Sequence, residues 1–230
     1  MFLKGYFLIK NISRGYTHRD KWMTRTLIVN CSLKDIENKV LLDAIRKFSD
    51  FKVIHFRELN ADFQVDKSID AVVLSGSAAR IVNFSDRDMF EGTVNLIKKC
   101  SQPVLGICFG HQLLCWAHGA TVGSLDQPVL DRFEKINVIT SDELFAGFTQ
   151  PVLAENHYDY VLKESLDKAD FVLLADSPSC EVEAVKHRIK PFYGVQFHPE
   201  RIKVKDESHA DGHRIIENFY RNMVKKRVRA

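Results

Sequence analysis

The chain has 230 residues, 45% of them hydrophobic, enough apolar material to bury a core in one α/β domain, which excludes intrinsic disorder. Its net charge of +3 can sit largely in the tail "VKKRVRA", so bulk charge gives no reason to expect nucleic acid as a partner. No apolar run approaches the roughly 20 residues of a membrane span, and the lysine-interrupted opening "MFLKGYFLIK" is no secretory leader, so a cytoplasmic protein off the membrane is expected. The five cysteines, Cys31, Cys100, Cys108, Cys115 and Cys180, are odd in number, scattered and without a C-x-x-C pair, which points to reduced thiols and to no metal.

The first 23 residues read as an extension: "NISRGYTHRDKW" is polar and aperiodic, and Met23 is an alternative start. The first strand is "TLIVN", followed by a helix from Ile36 to Phe48, a strand "FKVIHF" and a strand "DAVVLSG" that ends at Gly76. A helix from Asp86 to Cys100 leads through Pro103 into the strand "PVLGI" and then into the helix that carries "HQLLCWAHG". Strands alternating with amphipathic helices predict parallel βαβ units.

Beyond that helix the pattern shortens to "FEKINVI", "PVLAENH", "DFVLLAD", "EVEAVKH" and "PFYGVQF", which read as antiparallel strands joined by tight turns. A last helix, Asp211 to Lys225, sets Ile215, Phe219 and Met223 at helical spacing. The expected fold is an open, mostly parallel twisted sheet with helices on both faces plus a small antiparallel sheet. One domain spans 24–226, and 227–230 form a basic tail.

In "VLGICFGHQ", Cys108 stands between a core strand and a helix and is flanked by Gly106 and Gly110. A nucleophile on such a strand-to-helix turn needs neighbours without side chains, and the free N–H groups and positive dipole end of the helix favour a thiolate. The N–H of Phe109 is placed to bind a developing oxyanion. By itself the motif fits a packed small residue equally well. In "YGVQFHPE", Pro199 keeps His198 extended at the end of a core strand, and Glu200, two residues on, shares its side and orients the imidazole.

Taken together, G-x-C-x-G-x-Q and H-P-E resemble the class I (triad-type) glutamine amidotransferases, a flavodoxin-like family, from about Asp70 to the last helix. The resemblance implies Cys108 as nucleophile, His198 as general base and acid, Glu200 as orienter, and Gln112 as a contact to the amino-acid end of L-glutamine. "ENHYDYV" and "ADSPSCEVEAVKH" are similar to the glutaminase part of GMP synthetase. That likeness puts Asn156, His157 and Tyr158 around the glutamine pocket, with Gly76, and assigns Asp159 to the interface with an ATP-dependent synthetase subunit. It implies no cofactor.

Two stretches depart from the family. Where it writes S-G-G-P, this chain has "LSGSAAR", with Ser77 at the position whose N–H completes the oxyanion hole. If that position takes positive φ, Ser77 is strained where glycine is not. The first strand continues as "VNCSLKD" rather than a D-x-G-x-Q-like stretch. A stand-alone γ-glutamyl amide hydrolase and a regulatory subunit whose chemistry has lapsed therefore stay open. A Cys-variant α/β-hydrolase would require an acid between nucleophile and histidine in chain order. "SGSAAR" lacks the lysine of a phosphate loop, His209 and His213 read as a solvated helix start, and Cys115 and His118 read as packing residues.

Overall fold

The computed structural model describes residues 24–34 and 36–228, so the expected extension over 1–23 and the end of the basic tail lie outside the described residues. The chain opens with β1 (Arg25–Asn30), α1 (Lys39–Ile45), β2 (Asp50–His55) and β3 (Ala71–Leu74). It continues through α2 (Phe84–Asp88) and α3 (Glu91–Lys99) to β4 (Val104–Ile107) and α4 (Phe109–Ala117). Then follow β5 (Val122–Lys135), β6 (Asn137–Val138), β7 (Val152–Val161), β8 (Phe171–Asp176), β9 (Ala184–His187) and β10 (Phe192–Val195). A hairpin of β11 (Lys203–Val204) and β12 (Glu207–Ser208) precedes α5 (Asp211–Asn218), which runs through a π-helical stretch, Phe219–Val224, into α6 (Lys225–Val228).

One sheet holds eight strands in the order β2-β1-β3-β4-β10-β9-β8-β6. The strands from β2 to β10 are mutually parallel, and β9, β8 and β6 continue the same sheet antiparallel. A separate antiparallel ribbon pairs β5 with β7. The expected fold class holds, with one correction: the sequence pattern groups β10 with the antiparallel strands, yet it lies parallel to β4, with Gly194 opposite Gly106. Its unbroken apolar run is the mark of a strand covered on both faces, which alternation cannot reveal.

Alternate residues of each strand feed two cores, one on either face of the sheet. Leu27, Val29, Val72 and Leu74 pack with Phe90, Leu96 and Leu113 under α3 and α4. Ile28, Ala71, Val73 and Leu105 pack with Leu41, Ile45, Ile215 and Phe219 under α1 and α5. Each such buried aliphatic or aromatic side chain contributes about 1.5–3 kcal/mol. The C-terminal helix is also tied to β1 by a hydrogen bond of 2.8 Å between Tyr220 Oη and Thr26 Oγ1.

Two helices differ from the sequence reading. The first is shorter than 36–48, because Asn38 caps it by accepting from the N–H of Leu41 at 3.2 Å. The expected helix 86–100 is broken between Asp88 and Glu91. There Phe90 turns fully inward, with its ring 4.1 Å from that of Phe56 and 4.6 Å from that of Phe109, and this burial outweighs helical continuity.

Candidate active site

Cys108 sits where β4 passes into α4 at φ 51° and ψ −109°, a conformation that L-residues rarely hold. Backbone contacts on both sides keep it there. Its N–H donates to Val195 O at 2.8 Å, and its carbonyl accepts from the N–H of Gln112 at 3.1 Å. The turn is also too tight for side chains, since a Cβ at Gly106 would run into the backbone of Gly110, and one at Gly110 into that of Leu74. Strain at a non-glycine residue, fixed by its surroundings, is the physical signature of a turn that aims one side chain.

β4 lies between β3 and β10, so the loops leaving these three parallel strands meet at one edge of the sheet. From β10 the chain runs to His198, whose N–H donates to Ala154 O of β7 at 2.8 Å. Nδ1 of His198 donates to Glu200 Oε1 at 2.9 Å, which leaves Nε2 to the cavity side. Gly76, after β3, clears space for the ring: a Cβ there would come to 3.1 Å from His198 Cε1 and 3.7 Å from Cys108 Cβ. The structure thus brings together Cys108, His198, Glu200 and Gly76 from three strand ends.

Burial opposes a charged imidazole, but the Glu200 carboxylate and the nearby sulfur of Cys108 outweigh it and hold the His198 pKa well above the ordinary histidine value. For Glu200, burial favours the neutral acid, yet the adjoining His198 wins and its carboxyl lies below the usual carboxylate range. Both directions favour the imidazolium–carboxylate form of the pair.

A cavity of about 390 Å³ opens over Cys108, within the range of small-molecule sites. One wall is the loop Ser77 to Arg80; the other is the β7 segment Asn156 to Asp159. Among the described residues no acceptor meets the N–H of Ser77 or of Phe109, and both residues line the cavity. Ser77 is not among the residues at positive φ, so the strain that a missing glycine would bring does not arise; Cys108 carries it instead. The Asn156 carbonyl faces the thiol, 3.8 Å from Cys108 Sγ, and Tyr158 is exposed at the rim.

Gln112 and Asp159 both make contacts within the chain. The Gln112 side-chain amide donates to Asp159 O at 2.8 Å and to Gln196 Oε1 at 3.0 Å, so it braces the wall with donors already committed. The Asp159 carboxylate, only 3% exposed, turns inward to the Arg80 guanidinium, with Arg80 Nε 3.1 Å from Oδ2 and Nη2 on Oδ1, and accepts from Ser124 Oγ at 3.0 Å. The carboxylate thus lies beneath the Arg80 side chain, whose guanidinium also sits 5.8 Å above the Tyr158 ring. His157 is buried, with Nδ1 3.0 Å from Asp159 O, and burial pushes its pKa down to about 4.

Two neighbours escape the sequence reading. Gln196, whose Nε2 lies 3.7 Å from Cys108 Sγ, stands two residues before His198, and the same period-2 rule that selects Glu200 would have found it. Arg80 carries no signal, because its partner is 79 residues away. The residues read as packing do pack: Cys115 is fully buried, and the His118 ring lies edge-on to Phe171 and Phe192. His209 meets Phe133 at the start of α5, while His213 reaches Glu200 O at 3.3 Å, so the two do not converge.

A family model of the class-I glutamine amidotransferases matches residues 33–223. A glutamine-hydrolyzing GMP synthase subunit of Methanothermobacter thermautotrophicus is 38% identical over 127 residues, 55% of this chain and 64% of the relative, so the chain spans just under two thirds of its length. The corresponding subunit of Methanococcus aeolicus is 34% identical over 161 residues, 69% of this chain and 77% of the relative. A crystal structure of a Thermoplasma acidophilum protein assigned as a GMP synthase subunit superposes with a TM-score of 0.76 at 26% identity, covering 91% of this chain and 98% of that one. A glutamine amidotransferase of Thermotoga maritima, with a TM-score of 0.66 at 19% identity over 90% of this chain and 86% of its own, shares the fold. Sheet order, elbow and family match agree: the chain belongs to the class-I glutamine amidotransferases.

Proposed function

We propose that this chain hydrolyses L-glutamine to glutamate and ammonia and delivers the ammonia to an ATP-dependent synthetase subunit, as the glutaminase half of a GMP synthase. One observation carries the reading: a strained, backbone-locked Cys108 beside the His198–Glu200 pair at the floor of a glutamine-sized cavity. The Cys108 thiolate attacks the side-chain amide carbon, and the carbonyl electrons move to oxygen, held by the N–H groups of Ser77 and Phe109. Each such donor contributes about 3 kcal/mol in the transition state. The C–N bond then breaks as His198 passes its proton to nitrogen, and ammonia leaves. Water, losing a proton to the same imidazole, adds to the γ-glutamyl thioester; the C–S bond breaks and glutamate and thiolate are released.

The partner reading rests on the relatives, which are subunits of GMP synthases, and on the Arg80–Asp159 pair at the cavity mouth, where docking from outside meets the β7 wall. Free ammonia has no use in the chain's own cavity. Among the described residues no helix is long and apolar enough to cross a membrane, and the five cysteines are free, which fits a reducing cytoplasm.

The test is glutamine turnover by the purified chain, alone and with an ATP-dependent GMP synthase subunit, ATP and xanthosine 5′-monophosphate. The expected result is glutamate release that Cys108→Ala abolishes and that the complete mixture raises. Turnover of larger γ-glutamyl amides, indifferent to the partner, would instead favour a stand-alone hydrolase.

A further inference from the structure

A second group of polar side chains lies buried where β7 meets the segment leading into β9. His157 Nε2, Cys180 Sγ and a carboxylate oxygen of Glu183 all fall within 4.8 Å of one another. Glu155, two residues before His157 and so on the same face of β7, brings Oε2 to 3.4 Å from His157 Nε2. All four residues are at most 3% exposed. Yet His157 Nε2 has no hydrogen-bond partner, the Glu155 carboxyl has only that of Glu183 beside it, Glu183 Oε1 accepts from Ser177 Oγ at 2.7 Å, and among the described residues no lysine or arginine pairs with either carboxylate. Dry protein does not leave so many lone pairs facing one point without protons or a cation between them.

We propose that His157, Cys180, Glu183 and Glu155 form a closed, four-ligand site for one divalent transition cation of the zinc class. One nitrogen, one sulfur and two carboxylate donors are a borderline-soft set that zinc accepts and that magnesium or calcium does not choose. Neighbouring ligand atoms of a tetrahedral site stand about 3.3–3.8 Å apart, so His157, Cys180 and Glu183 close on a cation with small side-chain rotations, and Glu155 joins them from its place beside His157 Nε2. The histidine is already in the required tautomer: Nδ1 lies 3.0 Å from Asp159 O, so the ring proton sits on Nδ1 and Nε2 offers its lone pair to the cluster.

The protonation states agree with a cation that arrives in exchange for protons. Burial pushes the Glu183 carboxyl up to about 8 and raises Glu155 and the Cys180 thiol, a direction that favours their protonated forms when no cation is bound. As the cation takes their lone pairs, the S–H and O–H protons pass to solvent, and no electron is transferred. The bound cation ties β7 to the turn before β9 and so stiffens the Asn156–Asp159 wall of the cavity. The ligands come from two segments with no metal-type spacing, which is why the sequence does not announce the site.

The experiment is cobalt(II) titration of the full chain after chelator treatment, followed by absorption, native mass spectrometry and thermal melting. One equivalent of cobalt is expected, with a thiolate-to-cobalt charge-transfer band and a raised melting temperature. The band persists in Cys108→Ala, which removes the other thiol–imidazole pair, and is lost in Cys180→Ser. Glu183→Gln, which keeps the shape of the site should Cys180→Ser fail to fold, weakens binding at least about tenfold. Absence of stoichiometric binding, or a band that follows Cys108 and ignores Cys180 and Glu183, overturns the proposal and leaves proton sharing as the explanation.

Discussion

The two walls of the cavity are built on opposite principles. The floor, from β3, β4 and β10, is held by backbone: the Cys108 amide on Val195 O, and Gly106 and Gly110 at distances that admit no Cβ. The opposite wall, Asn156 to Asp159, belongs to a two-stranded ribbon whose register shifts twice between Ser124 and Arg132. Beyond that ladder its placement rests on side chains, with Gln112, Arg80 and Ser124 all gripping Asp159. Cys108 is thus fixed by backbone contacts and close glycine packing, while the Asn156–Asp159 wall is tied down largely by polar side-chain contacts.

Substitutions can test that contrast. Cys108→Gly is the most severe for chemistry: it removes the thiol we propose as nucleophile, with an expected loss of kcat on the order of 10⁴-fold or more. Because it also relieves the positive φ, denaturant unfolding should show a gain of about 1 kcal/mol in stability, opposite in sign to the activity change. Glu200→Gln should lower kcat about 10²-fold or more. It also removes the carboxylate that raises His198; the imidazolium we propose to protonate the leaving nitrogen then deprotonates at lower pH, and the alkaline limb of kcat/KM moves acidward. If that limb stays in place, Glu200 does not set the charge of His198.

Gly110→Ala should cost about 3 kcal/mol by forcing α4 away from Leu74, visible as a lower melting temperature with little change in KM in the protein that folds. Arg80→Ala should do the reverse: KM for glutamine rises several-fold, and stability falls by about 1–2 kcal/mol, a value discounted because the guanidinium side chain is 37% exposed. Ser77→Gly should change least, within about 0.5 kcal/mol, since Ser77 is under no backbone strain. A large KM effect from Gly110→Ala together with none from Arg80→Ala would erase the distinction between the two walls.

The floor of the site is legible in the sequence and the wall only partly so, for a physical reason. A strand-to-helix turn with a glycine on either side of Cys108, and a histidine followed by proline and glutamate, are local patterns, and each element there is set by residues within a few positions. The same locality exposes β1, β3 and β4 as apolar runs. The direction of β10 and the break at Phe90 depend instead on what lies across the sheet, and neither periodicity nor propensity encodes that. Asp159 shows the limit most clearly: its segment is identifiable, but the Arg80 that turns its carboxylate inward is remote in sequence.

The position of β10 between β4 and β9 has a consequence for synthesis. Cys108 acquires its imidazole neighbour only when a strand made some ninety residues later inserts into the middle of a sheet whose flanking members are already translated. A ribosome-bound chain that has not yet reached Phe192 therefore holds Cys108 without His198 beside it, and the proposed glutamine hydrolysis waits for the last strand of the sheet to emerge.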